Sequence, residues 1–88
     1  MRYVYVVKSG AYNSYADGYQ FGTSYCSSVK MSEHEVKQIL AINRASEIKE
    51  DTDWIARDNN VLRFVDYVGE EGRYKARIIV QRHELKVY

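Results

Sequence analysis

The sequence predicts an α+β domain: a small antiparallel sheet, in the order β-β-α-β-β, covered by one helix. Three observations carry this. Aromatic and β-branched residues alternate at period two over 2–8, 19–25, 61–68 and 73–87. A serine-acid capping signal precedes a run of apolar residues at helical spacing in the middle of the chain. Glycine-containing turn signals separate the periodic stretches.

The first strand is expected over 2–8, where Tyr3, Tyr5 and Val7 alternate with Val4 and Val6, and Gly10 ends it. Residues 11–18 read as a loop closed by an Asp17-Gly18 turn. Tyr19, Phe21, Thr23 and Tyr25 then form a second strand, the hairpin partner of the first, with Gly22 marking a bulge or a close backbone approach. The helix is expected over about 32–48. Ser32 caps it, Glu35 closes the box, and Val36, Ile39 and Leu40 make its buried stripe. Ala41, Ala45 and Ile48 fall on nearly the opposite side, so the helix is either buried twice or broken near Asn43. Residues 50–53 read as a solvated connection, followed by an apolar anchor at Trp54-Ile55.

A last hairpin runs from Val61 to Val68, turns at 69–72 and returns from Arg73 to about Val87. Pairing 68 with 73 puts Val61, Val65, Tyr67, Tyr74, Ala76, Ile78 and Val80 on the core face, broken only by Arg63. Tyr67 and Tyr74 then make a cross-strand core pair. The wetter face carries Leu62, Phe64, Asp66, Arg73, Lys75, Arg77 and Ile79, with Phe64 opposite Arg77 and Asp66 opposite Lys75.

Eighty-eight residues without internal repeats make one domain, 1–88, with one core. Thirteen Lys and Arg balance twelve Asp and Glu, which argues against a polyanion mimic and against tight non-specific DNA binding. No apolar run spans a bilayer, and the N-terminal segment is too short and alternating for a signal peptide. With a single cysteine, Cys26, these features fit a cytoplasmic protein with no membrane partner.

Tyrosine is in excess: nine residues, six of them before residue 26. Those at strand spacing are sheet residues. Tyr12 and Tyr15 stand in a loop of small residues and, with the nearby Tyr19 at the start of the second strand, are candidate binding anchors, since aromatics dominate interface energy. A second candidate is the row Arg73, Lys75 and Arg77 with Phe64, an arrangement able to track phosphates and stack on bases. Cys26, His34 and His83 form neither a nucleophile-base pair nor a zinc spacing, and no phosphate-binding glycine loop occurs. No cofactor, metal or catalytic residue is therefore expected.

The segment Val61-Leu62-Arg63-Phe64, with Arg73 to Val80 and the ending His83-Glu84-Leu85-Lys86-Val87-Tyr88, resembles the sheet end of RelE-type endoribonuclease toxins. That resemblance covers about a third of the chain. It implies mRNA cleavage by Arg63, Arg77, His83 and Tyr88. By size, lack of motifs and aromatic loops the chain also resembles the small orphan proteins of phages and mobile elements, which bind and inhibit host proteins. The leading expectation is a non-catalytic protein of that kind, directed at a host (defence) protein. Nucleic-acid binding and the RelE-like ribonuclease are the alternatives. A homodimer is a further expectation, formed if the strand ending at Tyr88 is a sheet edge.

Overall fold

A computed structural model describes residues 2–53 and 61–85. It is α+β, one helix packed on a six-stranded antiparallel sheet. The strands are β1 (Arg2–Asn13), β2 (Gly18–Tyr19), β3 (Gly22–Cys26), β4 (Glu47–Asp53), β5 (Val61–Val68) and β6 (Lys75–Leu85), with helix α1 (Val29–Ile42) between β3 and β4. The order across the sheet is β2-β1-β6-β5-β4, and β3 lies beside β1 on the same side as β2. The strand near the C-terminus is thus not an edge: β6 lies between β1 and β5. Val87, Tyr88 and the Trp54-Ile55 anchor fall outside the described residues.

Gly10 does not end the first strand. β1 continues to Asn13, and the expected loop shrinks to residues 14–17. One register joins the whole hairpin, from Asn13 opposite Gly18 to Tyr5 opposite Cys26, interrupted only at Gln20-Phe21. The close approach anticipated at Gly22 occurs at Gly10 instead. A Cβ on Gly10 would lie 1.7 Å from the Gln20 carbonyl oxygen, whereas one on Gly22 meets only ordinary contact.

The helix starts and stops earlier than its periodicity suggests. Ser28, not Ser32, is the N-cap, and its Oγ accepts from the Met31 amide at 3.1 Å. Ser32 is fully buried one turn later and donates to the Val29 carbonyl. The helix ends at Asn43 because Arg44 takes a left-handed conformation (φ 48°), letting the Ala45 amide reach the Leu40 carbonyl and the Arg44 amide the Ala41 carbonyl. This stop is usually marked by glycine, and an arginine hides it from the sequence. Ala45 then packs on the core and Ile48 passes into a strand. The acidic stretch 47–53, expected to be helix end and connection, is the edge strand β4: pairing with β5 overrides poor strand propensity.

The β5–β6 pairing is shifted by two residues from the expected one. Val68 faces Lys75 and Asp66 faces Arg77, because the chain closes with the Gly69 amide on the Tyr74 carbonyl around a short 3-10 turn. A shift of two preserves the faces but changes every partner. Phe64 lies opposite Ile79, and Tyr67 opposite Ala76 rather than Tyr74. A bulge at Leu62 exchanges two further residues: Leu62 packs on the core, and Val61 pairs with Gln81 on the other face.

The core lies between α1 and one sheet face. Val7, Val65, Tyr67, Ala76, Ile78 and Val80 meet Val36, with Ile39 and Leu40 beside them. Arg63 does break this face, and it is satisfied there: it ties Glu33 of α1 and, at 2.8 Å, Asp51 of β4. The Tyr74 ring lies against Gly69, where an added Cβ would come within 2.1–2.5 Å of it, and its hydroxyl donates to the Asn43 side chain. Gly69→Ala is expected to displace that ring, break the link to the helix C-cap and lower stability by about 1–3 kcal/mol in urea unfolding.

Asp51 supplies a pH prediction. Hydrogen bonding to Arg63 holds its carboxyl below the usual aspartate range. A depressed carboxyl contributes stability above its unfolded pKa of about 3.9, and the contribution is lost as pH falls through the folded value. The pair is partly solvent-screened, so the loss is on the order of 0.5 kcal/mol. Acid titrations of stability should show a shallower decline below about pH 4 in Asp51→Asn than in the parent.

Candidate functional site

The sheet face away from α1 carries the aromatic residues. Alternation along β1 places Val4, Val6, Lys8, Gly10 and Tyr12 there, and cross-strand pairing adds Tyr25, Thr23, Tyr19, Lys75, Arg77, Ile79, Gln81, His83, Phe64 and Asp66. No helix among the described residues covers this face. Part of it is nonetheless closed: Val6, between Tyr25 and Gln81, is 5% exposed.

The open part centres on Arg77. Its guanidinium carbon lies 4.3 Å from the Tyr19 ring centre and 4.6 Å from that of Phe64, a cation held against two aromatic rings. Nε and Nη2 reach the two carboxylate oxygens of Asp66 at 2.7 and 3.2 Å. Tyr19 stacks on Phe21 at 5.9 Å and meets the edge of Tyr12 at 5.4 Å. The Tyr12 hydroxyl donates to Asp17 at 2.7 Å, a bond that raises the phenol's pKa and fixes the ring. A shallow depression of about 280 Å³ lies alongside, lined by Tyr19, Asp66, Val68 and Lys75 among others.

Gly10 makes this cluster possible. It lies directly opposite Arg77 in β1, and its missing side chain lets the backbone at Gln20-Phe21 approach the sheet. Tyr19 is thereby brought against Arg77 although they lie on strands separated by β1.

The candidates read from the sequence divide accordingly. Tyr12, Tyr19, Phe64, Lys75 and Arg77 share one face. Tyr15 does not join them: it is fully exposed at the hairpin tip, its amide donating to Asn13. Arg73 leaves the expected row, because it stands in the turn before β6 and pairs with Glu71. Phe21 and Tyr25 are both exposed, and their period-two spacing marks them as strand residues without distinguishing them as part of a site. The signal that would have distinguished them is the absence of a second helix to cover that side.

The ribonuclease quartet does not assemble among the described residues. Arg63 points to the helix side, bonded to Glu33, and Arg77 to the opposite face, stacked on Tyr19 and Phe64. His83 is exposed on the Arg77 side, and Tyr88 lies outside the described residues. Cys26 is buried at the end of β3, and burial together with Glu35 pushes its thiol pKa up, away from nucleophilic use. Among the described residues no three His, Cys, Asp or Glu side chains come together to hold a metal, and no helix is long and apolar enough to cross a membrane.

No family model, curated protein or solved structure matches the chain.

The face must then be judged by its own chemistry. Arg77, at its centre, is compensated by Asp66, and at the margin Arg73 pairs with Glu71 and Lys49 with Glu47. Lys8 and Lys75 have no ion pair among the described residues. Two such cations release few counterions, whereas a nucleic-acid groove needs several. Exposed aromatics around a neutralised arginine match the composition of protein-protein hot spots.

Proposed function

We propose that the chain is a non-catalytic interaction module that binds a protein partner through the open sheet face. Tyr12, Tyr19, Phe21 and Phe64 are its anchors, and Arg77 holds two of those rings in place. The single observation that supports this is the aromatic cluster on a sheet face that the helix leaves uncovered. Cross-braced rings lose little rotamer freedom on binding, so more of their contact energy appears as affinity. A phage or mobile-element inhibitor of a cytoplasmic host protein is the biological setting this reading favours.

The test is affinity capture from nuclease-treated host lysate with the wild-type protein and with Tyr12→Ala/Phe21→Ala. The reading expects one protein species enriched by the wild type and lost, at least about tenfold, with the variant. Equal capture by both overturns it. Capture that disappears on nuclease treatment transfers the assignment to nucleic acid.

A further inference from the structure

The two edges of the sheet are unlike. β4 carries the acids Glu47, Glu50 and Asp51, and one lysine, Lys49, along its length, with a register shift between Ile48 and Glu50. An added strand meets a row of charged side chains there, and the irregularity spoils its ladder. β3, Gly-Thr-Ser-Tyr-Cys, has no charge, no proline and no shift of register against β1. Among the described residues its outer side pairs with no strand. One edge is defended and the other is left open to pairing.

What flanks β3 is also unspent. On the open face Tyr25 is 73% exposed; on the helix side Val29 and Met31 are 50% and 51% exposed. A groove of about 400 Å³ runs between strand and helix, lined by Ser24, Tyr25, Cys26, Lys30, Met31, His34 and Glu35. Its charges are of both signs, so two identical surfaces meet without a uniform repulsion.

We propose that β3 pairs antiparallel with β3 of a second copy about a two-fold axis at Ser24, joining two sheets into one. This goes beyond the partner-binding reading and does not depend on it. A two-fold at Ser24 sets Thr23 of each copy opposite Tyr25 of the other, and Gly22 opposite Cys26. An aromatic ring over a threonine is a favourable cross-strand pair. Gly22 offers no side chain to obstruct the strand ends. Such an interface is isologous and closes at two copies, since β4 cannot extend it. Five paired residues place it at the small end of specific interfaces, and the dimer is weak, on the order of 10–100 µM.

The experiment is sedimentation equilibrium of the full chain from about 5 µM to about 1 mM. Monomer giving way to dimer over this range is the expected result. Thr23→Glu and Tyr25→Lys, both at exposed positions that leave the fold intact by circular dichroism, should each weaken association at least about tenfold. The double variant creates two reciprocal Glu-Lys pairs and should recover most of that loss. A monomer throughout overturns the proposal and leaves the edge to a strand of another protein. A dimer indifferent to both substitutions overturns it as well. The Tyr12→Ala/Phe21→Ala variant should dimerise like the wild type, so failure of one reading is separable from failure of the other.

Discussion

Arg77→Ala is expected to cost about 2 kcal/mol of stability and to weaken partner capture about as severely as removing an aromatic anchor. The guanidinium makes three contacts at once. Each cation-ring contact is worth about 0.5–1 kcal/mol at a partly exposed site, and the paired bonds to Asp66 add about 0.5–1 kcal/mol. Removing Arg77 also leaves Asp66, whose side chain is 24% exposed, without its counter-charge. Urea unfolding midpoints report the loss. A double-mutant cycle with Asp66→Asn separates the ion pair from the stacking and should give a coupling of about 1 kcal/mol. Arg77→Met, which retains bulk between the rings without the charge, should keep the rings apart yet lose that coupling. If Arg77→Ala unfolds at the wild-type urea concentration, the bracing role assigned to it is wrong.

Gly10→Val should have the larger structural effect, about 3 kcal/mol, with loss of the aromatic cluster. A Cβ at this position would sit 1.7 Å from the Gln20 carbonyl oxygen and 2.6 Å from its carbon. Both obstacles are backbone, so no side-chain rotation relieves the clash. Either β1 bends or the segment through Gln20 and Phe21 lifts away, breaking the bond from the Gln20 amide to the Ala11 carbonyl. Tyr19 leaves Arg77 in both cases. The near-ultraviolet circular dichroism of the tyrosines should fall while the far-ultraviolet spectrum of the helix persists. Unchanged stability together with an unchanged near-ultraviolet signal would contradict the close approach described for Gly10. Gly22→Ala is the control, since a Cβ there has ordinary contacts only.

The failures of sequence reading have local causes. The helix boundaries differ from the expected ones because Ser32 and Glu35 imitate a capping box while the functioning cap, Ser28, has Met31 three residues on. Arg44 then ends the helix where a glycine would have announced the end. β4 is hidden from the sequence because its acids disfavour a strand in isolation, and only β5 and the bond from Arg63 to Asp51 make one. The candidate site was half legible. Residue type and spacing single out Tyr12, Tyr19, Phe64, Lys75 and Arg77, but the register this predicts, Phe64 opposite Arg77, is off by two residues. They do meet, diagonally across the β5–β6 pair instead of directly opposite.

The sequence by itself determined the α+β class, the two hairpins, a helix with Val36, Ile39 and Leu40 inward, and the division of the last hairpin into a core face and a wetter face. These follow from periodicities of two and 3.6 residues, which are properties of neighbouring positions and survive a register error of two. The tertiary structure alone decided that β6 lies centrally beside β1, that Arg63 and Arg77 point to opposite sides, that Tyr19 reaches Arg77 across Gly10, and that one edge is acidic and the other open. Each of these depends on which distant segments pair, and at what offset. That choice is made by packing and loop closure over the whole chain, so no short window of residues records it.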